Sequence, residues 1–170
     1  AVEAITKRSI AGEIDFSEAL IDRVELLAGK PSKLLEVLLD QVILTDGAVS
    51  LVQTMRANHS NCYLVSGGFD FMLSRVKNLC GFHGYHGNHM VINENVITGE
   101  ISRPILDNKA KAEYLIKYCT HMGIDVSSTA AIGDGANDLE LLSHSGMGVA
   151  FQGQRPVSYT HLRAHETFGY

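Results

Sequence analysis

Thr129-Ala-Ala-Ile-Gly-Asp-Gly-Ala-Asn-Asp-Leu-Glu-Leu-Leu142 decides how the rest of this chain is read. Thr129 to Ile132 is a short β-branched and apolar run suited to a buried strand, and Leu139, Leu141 and Leu142 open an amphipathic helix. The polar loop Gly133 to Asp138 joins them. Its two glycines let the backbone turn sharply and approach a ligand, while Asp134 and Asp138 put two carboxylates at the carboxyl end of a strand. Open α/β sheets bind their ligands at that end. Paired aspartates there suit a hard cation such as Mg2+, which takes oxygen ligands and shares them with a substrate phosphate. The plainer alternative is a connection whose aspartates only cap the helix.

The flanking sequence alternates in the same way from Thr45 onward. Asp46-Gly47 makes a turn, and Ala48 to Arg56 reads as a helix with Leu51, Val52 and Met55 inward. Cys62 to Val65 reads as a strand, Ser66-Gly67-Gly68 as a loop, and Phe69 to Leu79 as a helix. His89 to Ile92 and Val96 to Ile97, separated by Asn93-Glu94-Asn95, predict a hairpin. A helix from about Lys109 to His121 ends at Gly123, and Gly148 to Phe151 is a last strand. This order predicts an α/β fold, a Rossmann-like and mostly parallel sheet covered by helices.

Residues 1–43 carry helical patterns and no convincing strand, so they predict a small helical segment ahead of the α/β sequence of 44–155. Asp15 and Glu18 form a capping-box pattern, Leu20, Val24 and Leu27 follow at helical spacing, and Gly29 and Pro31 mark the stop. A second helix runs from about Ser32 to Leu39. Phe16 and Arg23 are seven residues apart and share a face, where a ring beside a guanidinium can hold a small anionic metabolite. The alternative is a packed ring and a surface ion pair.

Composition narrows the partners. The chain has 170 residues, 45% of them hydrophobic and 19% charged, with a net charge of −5. It has no basic run, which argues against nucleic acid and anionic membrane as partners. The longest apolar tract, Leu34 to Leu44, is broken by Glu36, Asp40 and Gln41, so no stretch reads as a membrane span. The first residues lack the apolar centre of a signal peptide. Cys62, Cys80 and Cys119 are odd in number and widely spaced, and read as reduced thiols of a cytoplasmic protein. Oligomeric state is not set by the sequence.

Two further groups complete a possible site. Ser66-Gly67-Gly68 offers a hydroxyl and free amides at a helix start, an arrangement that binds anions. Lys111 begins another helix, capped by Asp107, where an ammonium can reach strand ends although it works against the helix dipole. A hydroxyl-glycine loop, a lysine and a paired-Asp loop together make a phosphate-plus-Mg2+ site, a combination more specific than its parts.

At these residues the sequence resembles the haloacid-dehalogenase-like phosphatases, and within them the phosphoserine phosphatases. Val65-Ser66-Gly67-Gly68-Phe69, Lys111 and Gly133-Asp134-Gly135-Ala136-Asn137-Asp138 are similar to the family's second, third and fourth motifs. Ile5-Thr6-Lys7 and Gly12-Glu13-Ile14-Asp15-Phe16 through Arg23-Val24 are similar to its helical cap, and the likeness runs from Ala1 to about Phe151. The resemblance implies that Asp134 coordinates Mg2+ and that Asp138 supports the metal's waters and Lys111. It implies that Ser66 and the Gly67 amide bind phosphate, that Lys111 neutralises its charge, and that Asn137 lies beside them. In the cap, Arg23 would bind the substrate carboxylate and Phe16 would close over the site. The activity implied is Mg2+-dependent hydrolysis of a small phosphorylated amino acid, phosphoserine, as the last step of serine biosynthesis.

One part of the family pattern is missing. Its members attack phosphorus with an aspartate in an Asp-x-Asp-x-Thr/Ser segment, form an aspartyl-phosphate, and use the second aspartate as general acid and base. That segment would precede the cap. No Asp between Ala1 and Val65 follows a strand, so Asp15, Asp22, Asp40 and Asp46 are poor substitutes, and the chain as given is expected to be inactive. At the other end, Pro156-Val-Ser-Tyr-Thr-His-Leu-Arg-Ala-His-Glu-Thr167 resembles translated sequencing-library adapter, so 156–170 is expected to be a foreign or disordered tail. His161 and His165 are accordingly not read as ligands. His83, His86 and His89, spaced by three, lie in a glycine-rich stretch leading into a strand, so their side chains need not converge on a metal. Two alternatives stay open: a phosphatase or phosphotransferase for another small phosphomonoester, and a non-catalytic metabolite-binding domain.

Overall fold

The computed structural model describes residues 1–151, so the adapter-like tail lies outside the described residues. The chain divides into two compact units, Ala1–Ile105 and a second that begins at Leu106.

The first unit contains, in chain order, α1 (Val2–Ile10), α2 (Phe16–Glu25), α3 (Leu34–Leu39), α4 (Ala48–Ala57), β1 (Tyr63–Phe69), α5 (Asp70–Cys80), β2 (Gly84–Asn88), β3 (Met90–Asn93) and β4 (Val96–Ile101). The start of α2 is fixed by a reciprocal capping box. Asp15 Oδ1 accepts from the Glu18 amide at 2.8 Å, and Glu18 Oε2 accepts from the Asp15 amide at 3.0 Å. Removing such a cap costs about 1 kcal/mol. The helix then buries Ala19, Leu20 and Val24.

Val24 joins Leu35, Met90 and Ile97 in one apolar cluster, ringed by Leu27, Phe69, Phe71 and Ile101. The helical start of the chain therefore shares a core with the antiparallel hairpin β3-β4. Backbone bonds reinforce the join: the Gly29 amide donates to Ile97 O at 2.9 Å, and the Ile97 amide donates to Lys30 O at 2.9 Å. Asn93 pairs with Val96 across the hairpin, whose two turn residues, Glu94 and Asn95, have φ of 47° and 64°. Two successive positive φ values are what a two-residue turn of matching twist requires.

Strands β1 and β2 pair in parallel, Tyr63 opposite Gly84 and Phe69 opposite Asn88, with an irregularity between Val65 and Phe69. Here the structure departs from the sequence reading in two ways. Ser66-Gly67-Gly68 was expected as a loop, but β1 runs through it to Phe69 and α5 begins only at Asp70. Strand β2 was not anticipated, because Gly84-Tyr-His-Gly-Asn88 has two glycines and no apolar run. Its extended state comes from pairing with β1 rather than from local propensity. In α4, moreover, Val52 alone is buried, whereas Leu51 and Met55 are exposed. Those two are four residues apart on one face, and α4 turns its neighbouring face inward.

The second unit contains α6 (Asn108–Met122), β5 (Ala130–Gly133), α7 (Leu139–His144) and β6 (Met147–Ala150). Asp107 caps α6 by accepting from the Ala110 amide at 2.9 Å, and Gly123, at φ 64°, ends it. β5 and β6 are parallel and in continuous register from Ala130 opposite Met147 to Gly133 opposite Ala150. Ala131 and Leu142 form the buried centre, with Leu139, Leu141 and Ala150 packed around them. Two of the three strand pairs among the described residues are thus parallel and alternate with helices, an α/β fold. All three cysteines are free.

Candidate active site

In the first unit Ser66 and Gly67 lie near the end of β1, with Phe16 against Gly67. The Ser66 hydroxyl accepts from the Gly68 amide at 3.0 Å, a local turn that fixes the backbone of the glycine pair. Asn88 Nδ2 donates to Gly67 O at 2.8 Å, and Asn88 is only 2% exposed. The Phe16 ring lies against Gly67. A Cβ added to Gly67 would come within 2.6 Å of Phe16 Cζ, so only glycine lets the ring sit this close.

The first turn of α2 carries Phe16, and Arg23 follows two turns later on the same side. Arg23 Nη2 donates to Thr6 Oγ1 at 3.3 Å. Its Nε is buried and has no hydrogen-bond partner among the described residues. A buried donor left unpaired costs about 1–3 kcal/mol. No described carboxylate pairs with this guanidinium, whereas Asp22 beside it is taken by Arg8 at 3.5 Å. The arrangement is a positive charge held in place with hydrogen-bonding capacity to spare.

In the second unit Lys111 Nζ lies 2.7 Å from Asp138 Oδ1, with the two residues 4% and 8% exposed. The other carboxylate oxygen, Oδ2, accepts from the amides of Asp134 and Gly135 at 3.2 and 3.3 Å. One carboxylate therefore ties the first turn of α6 to the loop after β5. This pairing accounts for a lysine at the positive end of a helix: burial against an anion outweighs the dipole, which contributes only about 0.3–1 kcal/mol. Gly133 is needed for the approach, since a Cβ there would overlap the Asp138 side chain. Asn137 Oδ1 folds back over Gly135 in the same loop.

Asp134 and Asn137 are exposed. Among the described residues the Asp134 side chain has no hydrogen-bond or ionic partner, and no three His, Cys, Asp or Glu side chains converge as a closed metal site. One free carboxylate at a loop rich in backbone oxygens fits Mg2+ in the manner usual for phosphate enzymes, in which one or two carboxylates hold the ion and waters and phosphate complete it. It does not fit a dedicated cage such as structural zinc needs. The spaced histidines have other partners: His83 Nδ1 accepts from the Cys62 amide at 3.0 Å, and His89 Nδ1 lies 2.6 Å from Asp70 Oδ2.

Sequence reasoning missed Asn88. An asparagine between glycine and histidine reads as a turn residue, and no local pattern reveals that its amide grips a carbonyl twenty-one residues upstream. Thr6 was noted only as part of a motif, and its bond to Arg23 likewise appears only when α1 and α2 pack together.

Comparison with known proteins adds to this geometry. Residues 3–143 match the family model of haloacid dehalogenase-like hydrolases. A phosphoserine phosphatase of Archaeoglobus fulgidus is 37% identical over 150 residues, which are 88% of this chain and 44% of that protein. The phosphoserine phosphatase of Methanocaldococcus jannaschii is 31% identical over 150 residues, covering 88% of this chain and 71% of that one. Among solved structures, a phosphoserine phosphatase with substrate bound superposes with a TM-score of 0.82 at 29% identity, over 92% of this chain and 75% of that one. The chain thus spans less than half the length of the Archaeoglobus relative.

Proposed function

This chain belongs to the haloacid dehalogenase-like hydrolase family, and on that premise we propose that the whole protein is a cytoplasmic, Mg2+-dependent phosphatase that hydrolyses O-phosphoserine to serine and phosphate, the last step of serine biosynthesis. The observation that carries the reading is the unmatched Arg23 guanidinium on the helix face that also presents Phe16 to Gly67. A guanidinium with no carboxylate partner calls for an anion, and an amino-acid phosphate brings a carboxylate to meet it. The relatives named phosphoserine phosphatase support the same substrate.

Each residue has a role in this proposal. Ser66 and the Gly67 amide bind phosphoryl oxygens, and Lys111 offsets their charge with its ammonium already placed by Asp138. Fixed donors of this kind need no reorganisation as charge develops, which is the main lever in phosphoryl transfer. Asp134 would hold Mg2+, which when bound supplies further neutralisation of phosphoryl charge. Asn137 lies in the same loop and contributes polar contact to the substrate. Residues 1–43 act as the cap that Phe16 and Arg23 bring to the substrate, and residues 44–155 form the catalytic core.

Among the described residues β1 is the first strand, so none of the aspartates before it stands at a strand end. Among the described residues no aspartate ahead of β1 therefore stands where the family's attacking carboxylate is expected, and we expect the 170 residues to be inactive alone. No described helix is long and apolar enough to cross a membrane.

The substrate assignment is tested on the whole protein by comparing Arg23→Ala with wild type on phosphoserine, phosphothreonine and phosphohomoserine, and on a phosphomonoester without a carboxylate. Selective loss on the carboxylated substrates supports the assignment. Equal loss on all of them moves the protein to another small phosphomonoester.

A further inference from the structure

We propose that Thr6 is a positioning residue for the Arg23 guanidinium and through it sets selectivity for carboxylate-bearing substrates, an inference that rests on the reading of Arg23 given above. Thr6 Oγ1 donates its single proton to Val2 O, one helical turn back, at 3.0 Å. With that proton committed, the oxygen can face Arg23 only as an acceptor, and Arg23 Nη2 donates to it at 3.3 Å. The two helices that carry these residues are locked by Ile5, Ile14 and Ala19, all buried in one cluster beside Thr6. The oxygen is therefore a fixed point against which the planar guanidinium sets its angle.

The choice of a neutral acceptor has a consequence for charge. A carboxylate at this position would orient Arg23 equally well but would cancel it. A hydroxyl orients the cation and leaves its whole charge for an incoming anion. Charges nearby are sorted accordingly: Asp22, the sequence neighbour of Arg23, reaches Arg8 instead.

The experiment measures KM and kcat of the whole protein for phosphoserine and for phosphoethanolamine, which keeps the phosphate and the ammonium but has no carboxylate. Thr6→Val removes the oxygen at nearly constant shape, and Thr6→Ser keeps it. We expect T6V to raise the KM for phosphoserine about tenfold, the size of one lost hydrogen bond to a charged group, with kcat held within about twofold. The KM for phosphoethanolamine stays unchanged, and T6S behaves as wild type. An unchanged phosphoserine KM in T6V overturns the proposal, as does an equal rise on both substrates or a T6S variant as impaired as T6V. Arg23→Ala run alongside separates the two levels. If R23A discriminates against phosphoserine and T6V does not, only the role of Thr6 falls. If R23A fails to discriminate, the reading of Arg23 falls and takes this proposal with it.

Discussion

Lys111 and Asp138 are twenty-seven residues apart in sequence and 2.7 Å apart in the fold, both buried, so that a single ion pair joins the first turn of α6 to the loop after β5. Taking either charge away leaves the other buried without a partner, and that penalty exceeds what the pair itself contributes. Asp138→Asn keeps the shape and an acceptor for the Asp134 and Gly135 amides but strands the ammonium. We expect it to lower stability by about 3–5 kcal/mol. Urea unfolding of the two chains reads this directly, and a change within about 0.5 kcal/mol, the range of ordinary surface substitutions, would contradict the burial assigned to the pair.

Gly67 and Phe16 are coupled by contact. Gly67→Ala sets a methyl against the ring edge, which must swing away, at a cost near the low end of about 1–3 kcal/mol because Phe16 is only half buried. The cost should shrink when Phe16 is itself replaced by alanine. A double-mutant cycle on thermal unfolding measures the coupling, and additive losses would show that the ring does not rest on Gly67.

Asp125 supplies a pH-dependent term in the second unit. Hydrogen bonds from the Ser127 side chain and amide hold its carboxyl below the usual value, and the amide contact is 2.8 Å. A group whose folded value is depressed stabilises the fold above its unfolded pKa and loses that contribution as pH falls through the folded one. Asp125→Asn should therefore be less stable than wild type at pH 7, with the gap closing in the acid range below about pH 4. A gap that persists undiminished at pH 2.5 would mean that charge on Asp125 plays no part.

Much of this molecule is legible in its sequence because the relevant signals are local. Asp15 and Glu18 announce the start of α2, Gly123 ends α6, and the run from Thr129 through Leu142 predicts strand, polar loop and helix in the order the structure has them. What the sequence withholds depends on distant partners. Gly84 to Asn88 becomes a strand only through its neighbour β1, and Ser66 to Gly68 form the irregular stretch that β1 carries between its paired residues Val65 and Phe69. The inward face of α4 was misjudged because Leu51, Val52 and Met55 are equally apolar, and only packing decides that Val52 is the one buried. In the candidate site the residue types were readable, but the grip of Asn88 on Gly67 and of Thr6 on Arg23 was not, since each bond crosses between elements.

The most direct test of the functional account is phosphate release from O-phosphoserine by the whole protein, measured with Mg2+, after chelation of divalent ions, and after Mg2+ is restored, with the 170-residue chain assayed alongside. The account predicts release by the whole protein that stops on chelation and returns with Mg2+, and none from the 170 residues alone. No release by the whole protein, release indifferent to chelation, or equal turnover by the 170-residue chain would contradict it.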